Sequence, residues 1–203
     1  MPLQLPEIHL VPLYPLLVVI GWAVLVLLAD LFVPDKRILG YLALVGVLAA
    51  GITTFALWPG VSISFQNMFI SDASALFFNL TFLSAGVLGV LVAIDYLECK
   101  DLQRGEYYVL LLFALGGMMT MAAAQDLLIV FLGLETMSVA LYVLSGFNQQ
   151  QLSSVEAAMK YFILGAFASA FFLYGIALTY AAAGSTNLAQ IGGWLAQGGI
   201  PRD

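Results

Sequence analysis

The sequence has very few of the residues that soluble proteins place on their surfaces or in metal sites. Only 9% of its 203 residues are charged, against about 25% in soluble domains, which excludes a water-exposed globule. Six basic and twelve acidic residues leave a formal charge of −6, which argues against nucleic-acid binding. The only cysteine, Cys99, and the only histidine, His9, form no disulfide or metal-ligand spacing. We interpret Cys99 as a loop thiol and His9 as a residue without a metal or catalytic role.

The residues that are present are mainly apolar, since 63% of the chain is hydrophobic. About 20 apolar residues cross a bilayer as a helix. Cutting the chain at its charges and turn formers predicts six spans, at about residues 13–33, 38–58, 72–94, 107–124, 127–147 and 155–182. The predicted fold is therefore all-α, a polytopic transmembrane helix bundle in a lipid bilayer.

Two polar segments outside the spans have predicted structures of their own. Residues 95–106 carry six charges in twelve positions and are predicted to form a charged loop. The tail, 185–203, is too short and polar to span. Its residues Ile191, Trp194 and Leu195 lie at helical spacing, so it is either a short interfacial helix or a plain loop.

The basic residues predict the orientation of the bundle. Lys36 and Arg37 lie between spans one and two, and Lys100 and Arg104 between spans three and four. The segments before span one, between spans two and three, and between spans four and five contain no Lys or Arg. Because cytoplasmic loops carry the excess of basic residues, we expect these two loops in the cytoplasm and the N-terminus outside.

Glu135 is the strongest candidate for a functional residue. It lies near the middle of the fifth predicted span, where an ionisable side chain costs at least about 2.5–3.5 kcal/mol to insert. Ser138, Tyr142 and Ser145 follow it at i+3, i+7 and i+10, which predicts a polar stripe on one helix face. Such a stripe suits proton transfer with Glu135 as the acid. The alternative is a permanently protonated Glu135 that hydrogen-bonds two helices together.

Lys160 is the second ionisable residue inside a predicted span. It lies only about five residues from the cytoplasmic end of span six, within snorkelling reach. Glu156 precedes it by four residues, in the favourable order for a helical ion pair. From position alone, a functional lysine and an ordinary interface pair are equally good readings.

These residues lie in motifs that carry a family resemblance. Gly-x-Glu at 133–135, Glu-Ala-Ala-Met-Lys-Tyr-Phe-Ile-Leu at 156–164, and the flanking Leu-Gly-Gly at 115–117 and Tyr-Gly-Ile-Ala-Leu at 174–178 resemble the antiporter-like membrane subunits of respiratory complex I, NADH-quinone oxidoreductase. Within that family the subunit N branch is the most similar. The match is specific over about residues 107 to 188 and rests on hydropathy before that.

The resemblance implies a function and partners. The chain is expected to contribute to a proton path coupled to quinone reduction in the bacterial inner membrane, as a non-redox subunit beside other membrane subunits of complex I. Glu135 matches the family's acid on the fifth helix, which is thought to pair with a lysine on the seventh, and Lys160 matches a lysine on the sixth. No cofactor is expected in this chain; NADH, flavin, iron-sulfur clusters and quinone belong to partner subunits.

The resemblance also implies that the chain is incomplete. Family members have roughly fourteen helices in two inverted repeats, so six helices would form only the first part of that larger fold. We divide the chain into a three-helix segment with its charged loop (1–106), the start of the antiporter-like repeat (107–182) and a polar tail at an expected truncation point (183–203). The alternative functions are a subunit of a multisubunit cation/proton antiporter or membrane hydrogenase, or a purely structural membrane module.

Overall fold

The computed structural model describes residues 10–58, 60–65 and 67–198, and most of them are helical. After a 3-10 turn at Val11–Leu13, the elements in chain order are α1 (Tyr14–Asp30), α2 (Lys36–Ala56), β1 (Ser62–Ser64), β2 (Phe69–Ser71), α3 (Ala73–Cys99), α4 (Gly105–Ala122), α5 (Leu127–Ser145), α6 (Leu152–Ala183) and α7 (Leu188–Ala196). Helices α1 to α6 are long and apolar enough to cross a membrane. The predicted fold class and the six spans are thus confirmed.

Short polar side chains begin several of the helices. Asp35, Asp72 and Asp126 accept hydrogen bonds from backbone N–H groups in the first turns of α2, α3 and α5, and Asn187 does so for α7. These side chains satisfy N–H groups that have no partner within the helix. At the C-terminal end of α6, Gly184 adopts a left-handed conformation, which ends the helix at little steric cost.

The apolar core lies between the first four helices. Its fully buried residues come from α1, α2, α3 and α4, and Val19, Leu39, Val90 and Leu112 represent the four helices in turn. Helix α4 contacts α1, α2, α3 and α5. It is therefore the central helix, and its outer face positions α5.

Helices α5 and α6 extend away from this core. Helix α5 packs on α4 on one side and on α6 on the other, while α6 contacts α5 and α7. Only Ile176 and Ala183 are buried in α6, and exposed aromatic side chains such as Phe167 and Phe171 follow its length. In a bilayer such a surface faces lipid or another protein.

A small sheet forms at the end of the bundle where α2, α4 and α6 end. Strands β1 and β2 pair antiparallel, with Ile63 opposite Ile70. The α4–α5 turn continues this pairing through hydrogen bonds from Ile70 N to Ala123 O (2.8 Å) and from Gln125 N to Met68 O (2.8 Å). No secondary structure was predicted between the second and third spans, so the hairpin was not predicted.

The predicted charged loop at 95–106 is wrong in extent. Helix α3 continues to Cys99 and α4 begins at Gly105. Asp95 and Glu98 lie within α3, and Arg37, at the start of α2, pairs with both: Nη2 lies 3.4 Å from Asp95 Oδ1 and Nη1 lies 3.2 Å from Glu98 Oε2. These ion pairs also place the two basic loops at the same end of the bundle, as the orientation argument requires.

The two alternatives for the tail are resolved by α7. A short helix at Leu188–Ala196 is present rather than a plain loop. Residues 199–203 of the tail lie outside the described residues.

Candidate functional site

Glu135 lies near the middle of α5 and faces α4. It lines a groove of about 400 Å³, together with Leu110 and Phe113 of α4 and with Thr136 and Val139 of α5. Oε1 is buried and has no hydrogen-bond partner in the described part of the chain. An unpaired buried oxygen costs roughly 1–3 kcal/mol, and more if charged. The site can therefore take up a proton or a cationic partner at this carboxyl.

Two glycines bring α4 and α5 into backbone contact beside Glu135. A Cβ atom added at Gly117 would lie 2.6 Å from both Gly133 O and Met137 N, and one added at Gly133 would lie 2.8 Å from Gly117 O. The absence of side chains here lets the two backbones approach closely, as small residues do between membrane helices. Gly133 lies two residues before Glu135. This contact therefore fixes the part of α5 that carries the acid.

The predicted polar stripe does not open onto one cavity. Ser138 is buried. Tyr142 packs edge-to-face between α6 residues Tyr161 and Phe162, at ring-centroid distances of 4.8 and 5.7 Å. Ser145 donates from Oγ to Leu141 O at 2.8 Å and lines a groove separate from that of Glu135. A lining role for Ser138, Tyr142 and Ser145 stays a prediction.

Gly165 provides the space for Tyr142 at the α5–α6 interface. A Cβ atom at Gly165 would overlap the hydroxyl group of Tyr142. Tyr142 therefore fits into α6 within a turn or two of Lys160. The contact makes Tyr142 a packing residue between the two helices, whatever else it does.

Lys160 forms the helical ion pair that the sequence indicated. Its Nζ lies 2.5 Å from Glu156 Oε1, one turn earlier in α6, and 70% of the Lys160 side chain is exposed. Glu135 is absent from the ion pairs found among the described residues. The structure thus shows the two candidate residues on neighbouring helices, with Lys160 paired locally and Glu135 unpaired.

Sequence reasoning missed a second buried carboxylate, Asp126. Asp126 lies in the short turn between α4 and α5, yet only 1% of it is exposed. Oδ1 accepts from Leu128 N at 2.9 Å, and Oδ2 accepts from Thr186 Oγ1 at 2.7 Å. Because Thr186 lies sixty residues further along the chain, no local pattern could have revealed this burial.

The other residues singled out in the sequence add no site. His9 lies outside the described residues. Cys99 is exposed, but it is the last residue of α3 rather than a loop thiol. Among residues 10–58, 60–65 and 67–198, no group of three or more His, Cys, Asp or Glu is placed to hold a metal ion.

Comparison with known proteins finds similarity to a described family over the region that contains both candidate residues. A family model described as "NADH:quinone oxidoreductase/Mrp antiporter, TM" matches residues 124–199, which include both Glu135 and Lys160. NADH-quinone oxidoreductase subunit N of Chloroflexus aggregans is 46% identical over 201 residues, covering 98% of this chain and 41% of the relative. Subunit N 2 of Roseiflexus castenholzii is 47% identical over 182 residues, covering 89% and 36%. The chain thus spans about two-fifths of the length of these relatives.

Solved structures share the fold. Respiratory complex I from Thermus thermophilus, solved with bound aureothin, contains a chain that matches with a TM-score of 0.75 and 30% identity, over 86% of this chain and 38% of that one. The membrane-bound sulfane sulfur reductase, an archaeal respiratory membrane complex, matches with a TM-score of 0.72 and 22% identity, over 95% and 41%. The second likeness concerns the fold alone.

Proposed function

Because this chain is homologous to NADH-quinone oxidoreductase subunit N over almost its whole length, we propose that it acts as a membrane subunit of a proton-translocating NADH-quinone oxidoreductase. Its partners are the other membrane subunits of that complex and the lipid bilayer. Its location is the bacterial inner membrane, with the N-terminus outside and the ends that carry Lys36, Arg37, Lys100 and Arg104 in the cytoplasm.

The observation that carries the proposed proton-binding role is the environment of Glu135. Its Oε1 is buried and unpaired in the middle of a helix long enough to span the membrane. A carboxyl in such a place changes its proton affinity strongly when a positive charge approaches or withdraws. Glu135 thus acts as the proton-binding group of this chain, and Lys160 helps to set the field around it.

The chain contributes proton handling rather than redox chemistry. An iron-sulfur cluster is held by several Cys thiolates, whereas the chain has the single cysteine Cys99. The residues present do not fit such a cluster. In this proposal, NADH, flavin, iron-sulfur clusters and quinone are bound by the partner subunits.

Infrared difference spectroscopy of the membrane complex that contains this chain tests the proposal. We expect a carboxyl band that titrates as the pH is raised and that disappears in Glu135→Gln. Glu156→Gln is the matched control, because Glu156 is an exposed acid of α6 paired with Lys160, and the band should persist in it. A Glu135 band that stays constant while the complex is active would mean that the residue is structural.

Replacement of Lys160 by alanine is expected to lower coupled proton translocation several-fold, a smaller effect than loss of Glu135, and to change its pH dependence. The reason is that the Lys160 charge acts on the site through space, whereas its pair with Glu156 contributes only about 0.3–0.5 kcal/mol to stability. Proton uptake by sealed vesicles, measured across a pH series, checks this. Glu156→Gln, which breaks the pair and keeps the lysine, serves as the control. An unaltered pH dependence in Lys160→Ala would identify the residue as an interface lysine only.

A further inference from the structure

Asp126 is a buried carboxylate that the proposed function does not use. It immediately precedes α5 and is 1% exposed. None of the ion pairs among the described residues includes it. Its oxygens instead accept from Leu128 N and Thr186 Oγ1, and hydrogen bonds to a carboxylate are about twice as strong as those between neutral groups. Asp126 is thus a strong, fully enclosed acceptor at one end of the helix that carries Glu135.

Backbone hydrogen bonds surround the Asp126–Thr186 contact. Leu127 N donates to Thr186 O at 3.0 Å, and Leu188 N donates to Gln125 O at 2.9 Å. We call these two bonds and the Asp126–Thr186 bond together the α5–α6 clasp. The clasp joins the beginning of α5 to the segment that follows α6, across sixty residues of sequence.

The clasp is extended to the hairpin on its other side. Asn187 Nδ2 donates to Asn67 O at 3.1 Å, and Gln125 N donates to Met68 O at 2.8 Å. The start of α5 is therefore held between the hairpin and the end of α6. Because α6 buries few residues of its own, the clasp adds hydrogen bonds that hold the end of α6 against α5.

The clasp bears on Glu135 through the geometry of a helix. A shift of α5 by one residue moves each side chain about 1.5 Å along the axis and about 100° around it. Such a shift would turn the Glu135 carboxyl away from the groove that Leu110 and Phe113 line. A fixed N-terminal end and the close contact at Gly133 together prevent it.

We propose that Asp126 is a positioning residue, which holds Glu135 in the α4–α5 groove by fixing the depth and rotation of α5 through the α5–α6 clasp. This inference rests on the proposed function of Glu135. It assigns to Asp126 no contact with the transferred proton. What matters is its ability to accept the two hydrogen bonds, and asparagine shares much of that ability because it keeps one carbonyl oxygen and can pair with a hydroxyl in either direction.

Four variants of the membrane complex test the inference, with the pH midpoint of the Glu135 infrared band as the readout. Asp126→Ala and Thr186→Val remove clasp bonds, and we expect both to shift the midpoint by about one pH unit, a tenfold change in proton affinity. Asp126→Asn and Thr186→Ser keep hydrogen-bonding groups, and the midpoint should return to that of the unmodified complex. A merely structural role would lower the amount of complex without moving the midpoint in what assembles.

The outcomes separate the two proposals. A Glu135 band that does not titrate in the unmodified complex overturns the proposed function. A band that titrates normally but keeps its midpoint in Asp126→Ala overturns only the positioning role. The positioning role is also overturned if Asp126→Asn shifts the midpoint as Asp126→Ala does, because the charge of Asp126 rather than the clasp would then be responsible. If Asp126→Ala does not assemble, Thr186→Val, which removes a single hydroxyl, decides the question.

Discussion

The variant Gly117→Ala is expected to lower the stability of the bundle by about 3 kcal/mol, at the upper end of the usual cost of overpacking. The added methyl group would lie 2.6 Å from Gly133 O and 2.6 Å from Met137 N. Both are backbone atoms of α5, so no side chain can rotate away and the two helices must separate. The thermal midpoint of the purified membrane complex and the amount that assembles measure the effect.

Gly175→Ala is the matched control for this prediction. Gly175 lies in α6 and has no atom within 4 Å of an added Cβ. Alanine is also the better helix former, by about 1 kcal/mol in water. We therefore expect Gly175→Ala to assemble as the unmodified chain does. Equal thermal midpoints for Gly117→Ala and Gly175→Ala would contradict the close contact between α4 and α5.

The contact at Gly117 also has a functional consequence. Separation of α4 from α5 would widen the groove that Leu110 and Phe113 form around Glu135. The Glu135 carboxyl would then lie in a wetter environment, in which nearby charges act on it less strongly. Gly117→Ala complexes that do assemble should accordingly show weakened coupling as well as lower stability.

The positions of the helices could be predicted because the membrane makes hydropathy decisive. Runs of about 20 apolar residues admit no other explanation in this chain, and the six spans follow from them. The boundary at Asp95 was less predictable. Asp95 and Glu98 look like loop residues in sequence, yet they lie within α3 and pair with Arg37 of α2, a contact that no local pattern reveals.

The polar stripe on α5 illustrates a different limit. Residues 135 and 142 are seven apart and lie on nearly the same face of the helix. In the structure Glu135 nevertheless faces α4, while Tyr142 packs on α6. Packed helices cross at an angle, so the neighbour of a given face changes along the helix. Periodicity identifies the face but not which helix covers it at each turn.

Replacement of Glu135 by glutamine is expected to reduce proton translocation coupled to quinone reduction by at least about 100-fold, the lower end of what a positioned proton-transfer group contributes. Glutamine has almost the same shape and can occupy the same groove, but its amide cannot bind and release a proton. Assembly should therefore be retained. Proton uptake by sealed vesicles and quinone reduction by NADH, both scaled to the amount of assembled complex, measure the loss.

Thr136→Val separates loss of the proton site from disturbance of the groove. Thr136 lines the same groove, and its hydroxyl donates to Leu132 O within α5, so valine keeps the shape and removes only a local bond. We expect near-normal rates in this variant.

If Glu135→Gln also retained normal rates, a neutral side chain would suffice at this position, and Glu135 would be a hydrogen-bonding link between helices. If Glu135→Asp instead recovers part of the activity that Glu135→Gln loses, the carboxyl group itself is required, because a shortened side chain fits the groove less well than glutamine but can still be ionised.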